Sequence, residues 1–230
     1  MHSKIAEPCA HSHPRSTLRC RLTREPPPRA YGVAMRLDRT VVVRTALDQL
    51  NEVGLDGLTL RRIAAELDVQ APALYWHVKN KRELLDGMAA MIFADALSGL
   101  EVPRRGESWV EWTAETARRL RSTMLAYRDG ARVLSGTYLT NAGRPLELAL
   151  RTLCDAGFTI RDAARGITSV YSYVQGFTVE EQTDQSAPEP DDRFPLTARA
   201  RADLTSDPDE RFEHGLQLLL SGLRLSRFAS

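Results

Sequence analysis

Tyr75 and Lys81 are the side chains of this sequence best placed to do chemistry, because they follow the small residues Ala71, Pro72 and Ala73. A phenol and an ammonium at that spacing can both reach phosphates. Small side chains just ahead of them let a backbone approach the base edges of a duplex. That is the chemistry of holding a nucleic acid, not of making bonds. P-loop, HExxH and GxSxG motifs are absent, and His214 has no evident partner for acid–base work, so an enzyme is not expected. Cys9, His11, His13 and Cys20 could be taken for a metal set, but they lack paired spacing and precede a run of three prolines. No metal and no cofactor are expected.

The elements that must position these residues lie between Leu58 and Leu85. Leu60, Ile63, Ala64 and Leu67 recur at i, i+3, i+4 and i+7, with Thr59 placed as an N-cap, so a short helix is predicted there. A second segment, from about Ala71 to His77, is too short to stand alone in water and must pack on the first. Two short helices across the polar turn Asp68-Val69-Gln70 meet the requirements of a helix-turn-helix. Leu74 should enter the core, and Trp76 and His77 are read as domain packing rather than contacts.

A first helix is predicted from Arg39, capped by Asp38, to Val53, with Val43, Leu47 and Leu50 buried and Gly54 as its stop. The helix after Asn80 should continue to about Leu97, beginning in one domain and ending in the next. Beyond a polar break at 103–106 the pattern is helical almost throughout: Trp109–Tyr127, Pro145–Ala156, Arg161–Gln182, a short helix near Thr197 and Pro208–Leu225. The residues from Gly136 to Gly143 read as irregular, and Gln185–Pro195 as a flexible acidic loop. No period-two strand pattern occurs. The fold class is all-α: a small helix-turn-helix domain followed by a larger helical one.

Bulk properties narrow the setting. A length of 230 residues with 43% hydrophobic content can bury a real core. A net charge of +1 neither favours nor opposes a nucleic-acid partner, since a sequence-specific dimer needs only a local basic face. Cys9, Cys20 and Cys154 are scattered and odd in number, which suits a reducing compartment. No apolar run approaches the roughly 18–20 residues that would cross a bilayer, and the N-terminus lacks the apolar centre of a secretory signal. A cytoplasmic protein is expected. Residues 1–34 are basic and proline-rich. They read either as a disordered arm tracking DNA phosphates or, preferably, as a mis-assigned start ahead of Met35.

The run LTLRRIAAELDVQAPALYWHVKNKRELLD, and YWHVKNKRELLD above all, resembles the DNA-binding domain of the tetracycline repressor (TetR) family. The likeness runs from about Met35 past Asp95, resumes at GESW and continues through AYRDGARV, LCDAGFT and GFTVEEQ. It implies a DNA-binding domain over 35–82 and an effector-binding and dimerisation domain over 83–230. It implies that Arg61 contacts a base, where a guanidinium on guanine is worth about 1–3 kcal/mol of discrimination. Gln70, Ala71, Pro72, Ala73 and Tyr75 occupy the reading positions, and Thr59, Tyr75 and Lys81 fall on phosphate contacts. Ala71 and Ala73 stand where tetracycline-binding members carry glutamine and threonine, so a different operator is expected.

In the second domain the resemblance implies a homodimer built mainly by the Arg161–Gln182 helix and the last helix, with Tyr171, Tyr173, Leu218 and Leu225 as extra apolar positions. The effector pocket falls on Leu97, Thr116, Leu120, Leu134, Thr137, Tyr138, Tyr173, Phe177 and Glu180. Tetracycline-binding members chelate a magnesium–drug complex with a histidine at the position of Leu134 and a glutamate at that of Glu180. Leucine cannot ligate a metal. The pocket is therefore expected to be more apolar and to take another small molecule, aromatic or polyketide-like. The expected function is a ligand-responsive repressor, homodimeric on a palindromic DNA operator. The alternative is a helical ligand- or partner-binding module that no longer reads DNA, which the joint presence of Arg61, Tyr75 and Lys81 disfavours.

Overall fold

Asp38 opens the first helix, its carboxylate accepting the Val41 N–H at 2.9 Å, and α1 runs Arg39–Gly57. Val42, Val43, Ala46, Leu47 and Leu50 recur at helical spacing and are buried. The stop expected at Gly54 is a kink instead. Gly54 takes φ 68 inside the helix, and a Cβ there would meet the Arg128 and Asp129 side chains at 3.0–3.3 Å. One further turn follows it.

The computed structural model describes residues 37–100, 103–135, 137, 139–183 and 193–226. The 1–34 segment with its Cys9, His11, His13 and Cys20 lies outside the described residues, as does most of the acidic stretch before Pro195. After α1 come α2 (Leu60–Glu66), α3 (Ala71–Leu74), α4 (Lys81–Ala96), α5 (Trp109–Leu125) and α6 (Gly130–Ser135). A 3₁₀ turn over Leu139–Ala142 leads to α7 (Arg144–Asp155), α8 (Ile160–Gln182), α9 (Pro195–Leu204) and α10 (Pro208–Ser226). No strand occurs among the described residues, so the all-α expectation holds. Two short pieces were not expected. α6 follows Asp129, whose φ of 59 turns the chain, and the 3₁₀ turn occupies part of the segment read as irregular.

Most caps are those the sequence offers. Asn80 accepts the Glu83 N–H, Ser108 and Glu111 close a capping box on α5, and Thr159 caps α8. α8 is the central post, packing on α5, α6, α7 and α10. α4 is the element that matters most for function. It packs on α1 and also on α5, α6 and the 3₁₀ turn, through Leu84, Met88, Ala89, Ile92, Phe93 and Ala96. No helix among the described residues is long and apolar enough to cross a membrane.

Candidate functional site

The helix-turn-helix is built from its buried side outward. Ile63 and Ala64 of α2 are buried, and the Gln49 amide donates to the Arg62 carbonyl at 3.1 Å. Thr59 caps α2 by accepting the Arg62 N–H, which uses its hydroxyl locally. Asp68 takes a left-handed φ of 52 to turn the chain. α3 then spans only Ala71–Leu74, with Pro72 in its first turn, and it is held by Leu74 and Val78, both fully buried. With those side chains inward, Thr59, Arg61, Arg62, Gln70, Pro72 and Tyr75 are exposed, and Ala71 and Ala73 are half-buried. Among the described residues no ion pair takes up Arg61.

Two readings of this segment need correction or refinement. Trp76 is not domain packing: it is 90% exposed, because the turn continues past α3 and places it, two residues from each of the buried Leu74 and Val78, on the opposite side. Its neighbour His77 is half-buried. Lys81 is exposed, but its ammonium already donates to the Leu55 carbonyl at 3.2 Å. It therefore ties the start of α4 to the kinked end of α1.

A polar seam joins that kinked end to the turn before α6. The Leu55 N–H donates to Asp129 at 2.9 Å, Arg132 donates to the other oxygen of Asp129 at 3.0 Å, and Arg132 also reaches Asp56. The Arg128 N–H donates to Asn51 at 2.7 Å. Burial pushes the Asp129 carboxyl up, but the Leu55 N–H and the Arg132 guanidinium outweigh it and leave the group below its usual range. Further along, Arg44 pairs with Asp95 of α4 at 2.9 Å.

The larger domain holds an apolar cavity of about 70 Å³ between α4, α5, the 3₁₀ turn, α7 and α8. Phe93 and Leu97 of the α4 end, Trp112, Thr116 and Leu120 of α5, and Tyr171 of α8 are among its walls. Among the described residues no charged side chain lines it. Phe93 and Tyr171 pack ring to ring, 5.7 Å between centroids and tilted by 38°. The hydroxyls of Tyr171 and Thr116 are buried without a hydrogen-bond partner. Burial pushes the Tyr171 phenol up to about 12.

Of the described residues expected around an effector, Leu97, Thr116 and Leu120 line this cavity, whereas Leu134, Thr137, Tyr173, Phe177 and Glu180 are not among its walls. Leu134 is fully buried in α6, away from it. The Thr137 hydroxyl donates to the Leu134 carbonyl, and Tyr138 lies outside the described residues. Tyr173 and Phe177 face α10. The Tyr173 hydroxyl donates to the Phe212 carbonyl at 2.8 Å, and both rings pack on Phe212. Glu180 is exposed and pairs loosely with Arg211 at 3.9 Å. The reason is helical phase: two residues on a helix are about 200° apart, so Tyr171 and Tyr173 cannot share a wall. Tyr171 joins Ile167, Val170 and Val174 at i, i+3, i+4 and i+7, a register that marked it as the cavity residue. Tyr171 and Tyr173 both pack, partly buried, against this chain's own core.

The Tyr173 side is closed by a guanidinium. Arg121 makes two bonds to Glu181 at 2.7 and 2.8 Å, one to Asp209 at 2.6 Å, and stacks 4.8 Å over Phe212. It locks α5 to α8 and α10.

Two family models match this architecture. "Bacterial regulatory proteins, tetR family" covers residues 42–88, and "Tetracyclin repressor-like, C-terminal domain" covers 102–227. The chain belongs to the TetR family. Among its relatives is the tetracycline repressor protein class A from transposon 1721 of Escherichia coli, 41% identical over 204 residues, 84% of this chain and 93% of that one. Among solved structures is a possible TetR family transcriptional regulator from Streptomyces coelicolor A3(2), 41% identical with a TM-score of 0.73, covering 82% of this chain and all of that one. ActR of Streptomyces coelicolor, solved in complex with (S)-DNPA, is 30% identical with a TM-score of 0.72 over 83% and 98% of the two chains. One structure of a class A TetR holds 5a,6-anhydrotetracycline and magnesium. The present TetR-family cavity does not fit that ion. Magnesium asks for carboxylate or other hard oxygen ligands, and among the described residues the walls here offer neither a carboxylate nor an imidazole.

Proposed function

We propose that this protein is a ligand-responsive repressor: a homodimer that holds a palindromic DNA operator and is released when a small molecule enters the cavity of the larger domain. The observation that carries this reading is the double engagement of α4. Its first turns pack on the DNA-reading head, while Phe93 and Leu97 at its other end are walls of the cavity. We place the domain boundary inside α4, with the head at 35–82 and the effector and dimerisation domain at 83–230.

In this reading Tyr75, Thr59 and Lys81 meet phosphates, and Arg61, Gln70, Ala71, Pro72 and Ala73 face base edges. Lys81 keeps its bond to Leu55 or exchanges it for a phosphate. Two heads about 34–36 Å apart would occupy successive major grooves. A ligand that widens the cavity displaces Phe93 and Leu97, and α4 carries that movement to the head. Moving the population from 99:1 to 1:99 requires about 5.5 kcal/mol of preference for the released state. The protein acts in the cytoplasm and is not an enzyme.

The dimer would form on α8 and α10. Leu218 and Leu225 are exposed by 63% and 75%, seven residues apart on one face of α10. Between them Gly222 has open space where a Cβ would stand, as does Gly176 on α8. Two apolar side chains framed by glycines suit close helix approach.

The test is a gel shift and footprint on DNA flanking the gene, at two salt concentrations, with wild type and Tyr75→Ala. A protected palindrome that weakens with salt and is lost in the variant is expected. No protection there, and no enriched site from a random-sequence selection, would overturn the reading in favour of a module that does not bind DNA.

A further inference from the structure

We propose that the effector is a neutral, metal-free, largely aromatic molecule whose hydroxyl or carbonyl groups are met by the free hydroxyls of Tyr171 and Thr116. This deepens the repressor reading and rests on it. Among the described residues lining the cavity, four carry a polar side-chain atom: Trp112, Thr113, Thr116 and Tyr171. The protein satisfies two of them. The Trp112 ring N–H donates to the Leu100 carbonyl at 3.2 Å, and the Thr113 hydroxyl donates to the Trp109 carbonyl at 2.6 Å. The other two hydroxyls are buried and unpartnered. Leaving a buried hydroxyl unmet destabilises the ligand-free protein, while valine and phenylalanine of nearly the same shape would not. Two such groups on the walls of one apolar cavity, neither yet opening into it, form a recognition element that a ligand uncovers as it widens the cavity.

The walls decide the charge of that partner. Among the described residues no Asp, Glu, Lys, Arg or His lines the cavity, so an ionised ligand would be buried against them without a counter-charge. Burial raises the Tyr171 phenol to about 12, so the group meets a ligand as a neutral hydroxyl. Phe93, Trp112 and the Tyr171 ring favour a flat unsaturated body. The cavity of about 70 Å³ is small beside typical ligand sites of about 300–1,000 Å³, so binding must widen it.

Calorimetric titration of the full chain with naphthol, naphthalene, naphthoate and magnesium–tetracycline tests the assignment, using wild type, Tyr171→Phe and Thr116→Val. Wild type should bind naphthol about tenfold more tightly than naphthalene, the scale of one hydrogen bond gained in an apolar site. Tyr171→Phe should remove most of that difference and Thr116→Val part of it, with naphthalene unchanged. Naphthoate and magnesium–tetracycline should not bind. The proposal fails if no probe binds, if naphthoate or magnesium–tetracycline binds as well as naphthol, or if both variants bind naphthol like wild type. It also fails if both variants melt below wild type, since the hydroxyls would then have partners within the protein. The ligand-free footprint separates the two readings. Naphthol discrimination without an operator overturns the repressor and leaves the cavity assignment standing. An operator without discrimination overturns only the cavity assignment.

Discussion

Single residues in the cavity carry opposite demands on stability and recognition, and Tyr171 is the clearest case. Its ring packs against Phe93, yet its hydroxyl is buried with no partner. Tyr171→Phe should therefore raise the stability of the ligand-free protein by about 1 kcal/mol, read as a higher urea midpoint with an unchanged slope. A lower midpoint would mean that the hydroxyl is bonded. The same residue sets an alkaline limit. Its folded pKa, about 12, lies above the ordinary 10.0, so the folded state favours the protonated phenol. That contribution is fully present below pH 10 and is lost as pH rises from 10 through 12, whereas Tyr171→Phe should lack this component of the alkaline loss.

Between elements, a polar seam joins the kinked end of α1 to the α5–α6 turn. Asp129 accepts from the Leu55 N–H and from Arg132 while sitting at φ 59, a conformation that asparagine tolerates and alanine does not. Asp129→Ala should cost about 2–3 kcal/mol through two lost bonds and a strained backbone, and Asp129→Asn about 1 kcal/mol, since its amide oxygen can still accept from Leu55. Equal losses in chemical unfolding would show that backbone strain plays no part. The folded Asp129 carboxyl lies below its ordinary 3.8, so its contribution is present above pH 3.8 and is lost as pH falls through the depressed value. The head should thus loosen in acid, and less steeply in Asp129→Asn. Amide exchange at Leu55 would report it directly.

For the whole molecule the question is what covers the exposed face of α10. Leu218 and Leu225 contribute little to the monomer core, which Phe212, Leu216 and Leu220 already close from the other side of the helix. Leu218→Glu combined with Leu225→Glu should leave the helical content intact and shift the sedimenting species from dimer to monomer. It should also abolish operator binding, because one head reads too few bases to hold alone. A double variant that still sediments as a dimer would place the interface elsewhere.

Much of this molecule was legible from local chemistry. Asp38, Thr59 and Asn80 cap helices as their side chains allow, and the apolar periods of α1, α8 and α10 place the core. The helix-turn-helix was readable for the same reason: its spacing, turn and buried Leu74 are near neighbours in the chain. Tertiary structure decided the rest. Which wall of α8 bounds the cavity depends on where α5, α7 and α10 dock, so Tyr171 and Tyr173, two positions apart, take opposite roles. Trp76 is exposed because Leu74 and Val78 take the inward side of its turn, and the residues after the Gly54 kink are tied to Asp129, which accepts the Leu55 N–H. Periodicity and capping act within a few residues, whereas cavities and seams arise between elements that meet only once the chain has folded.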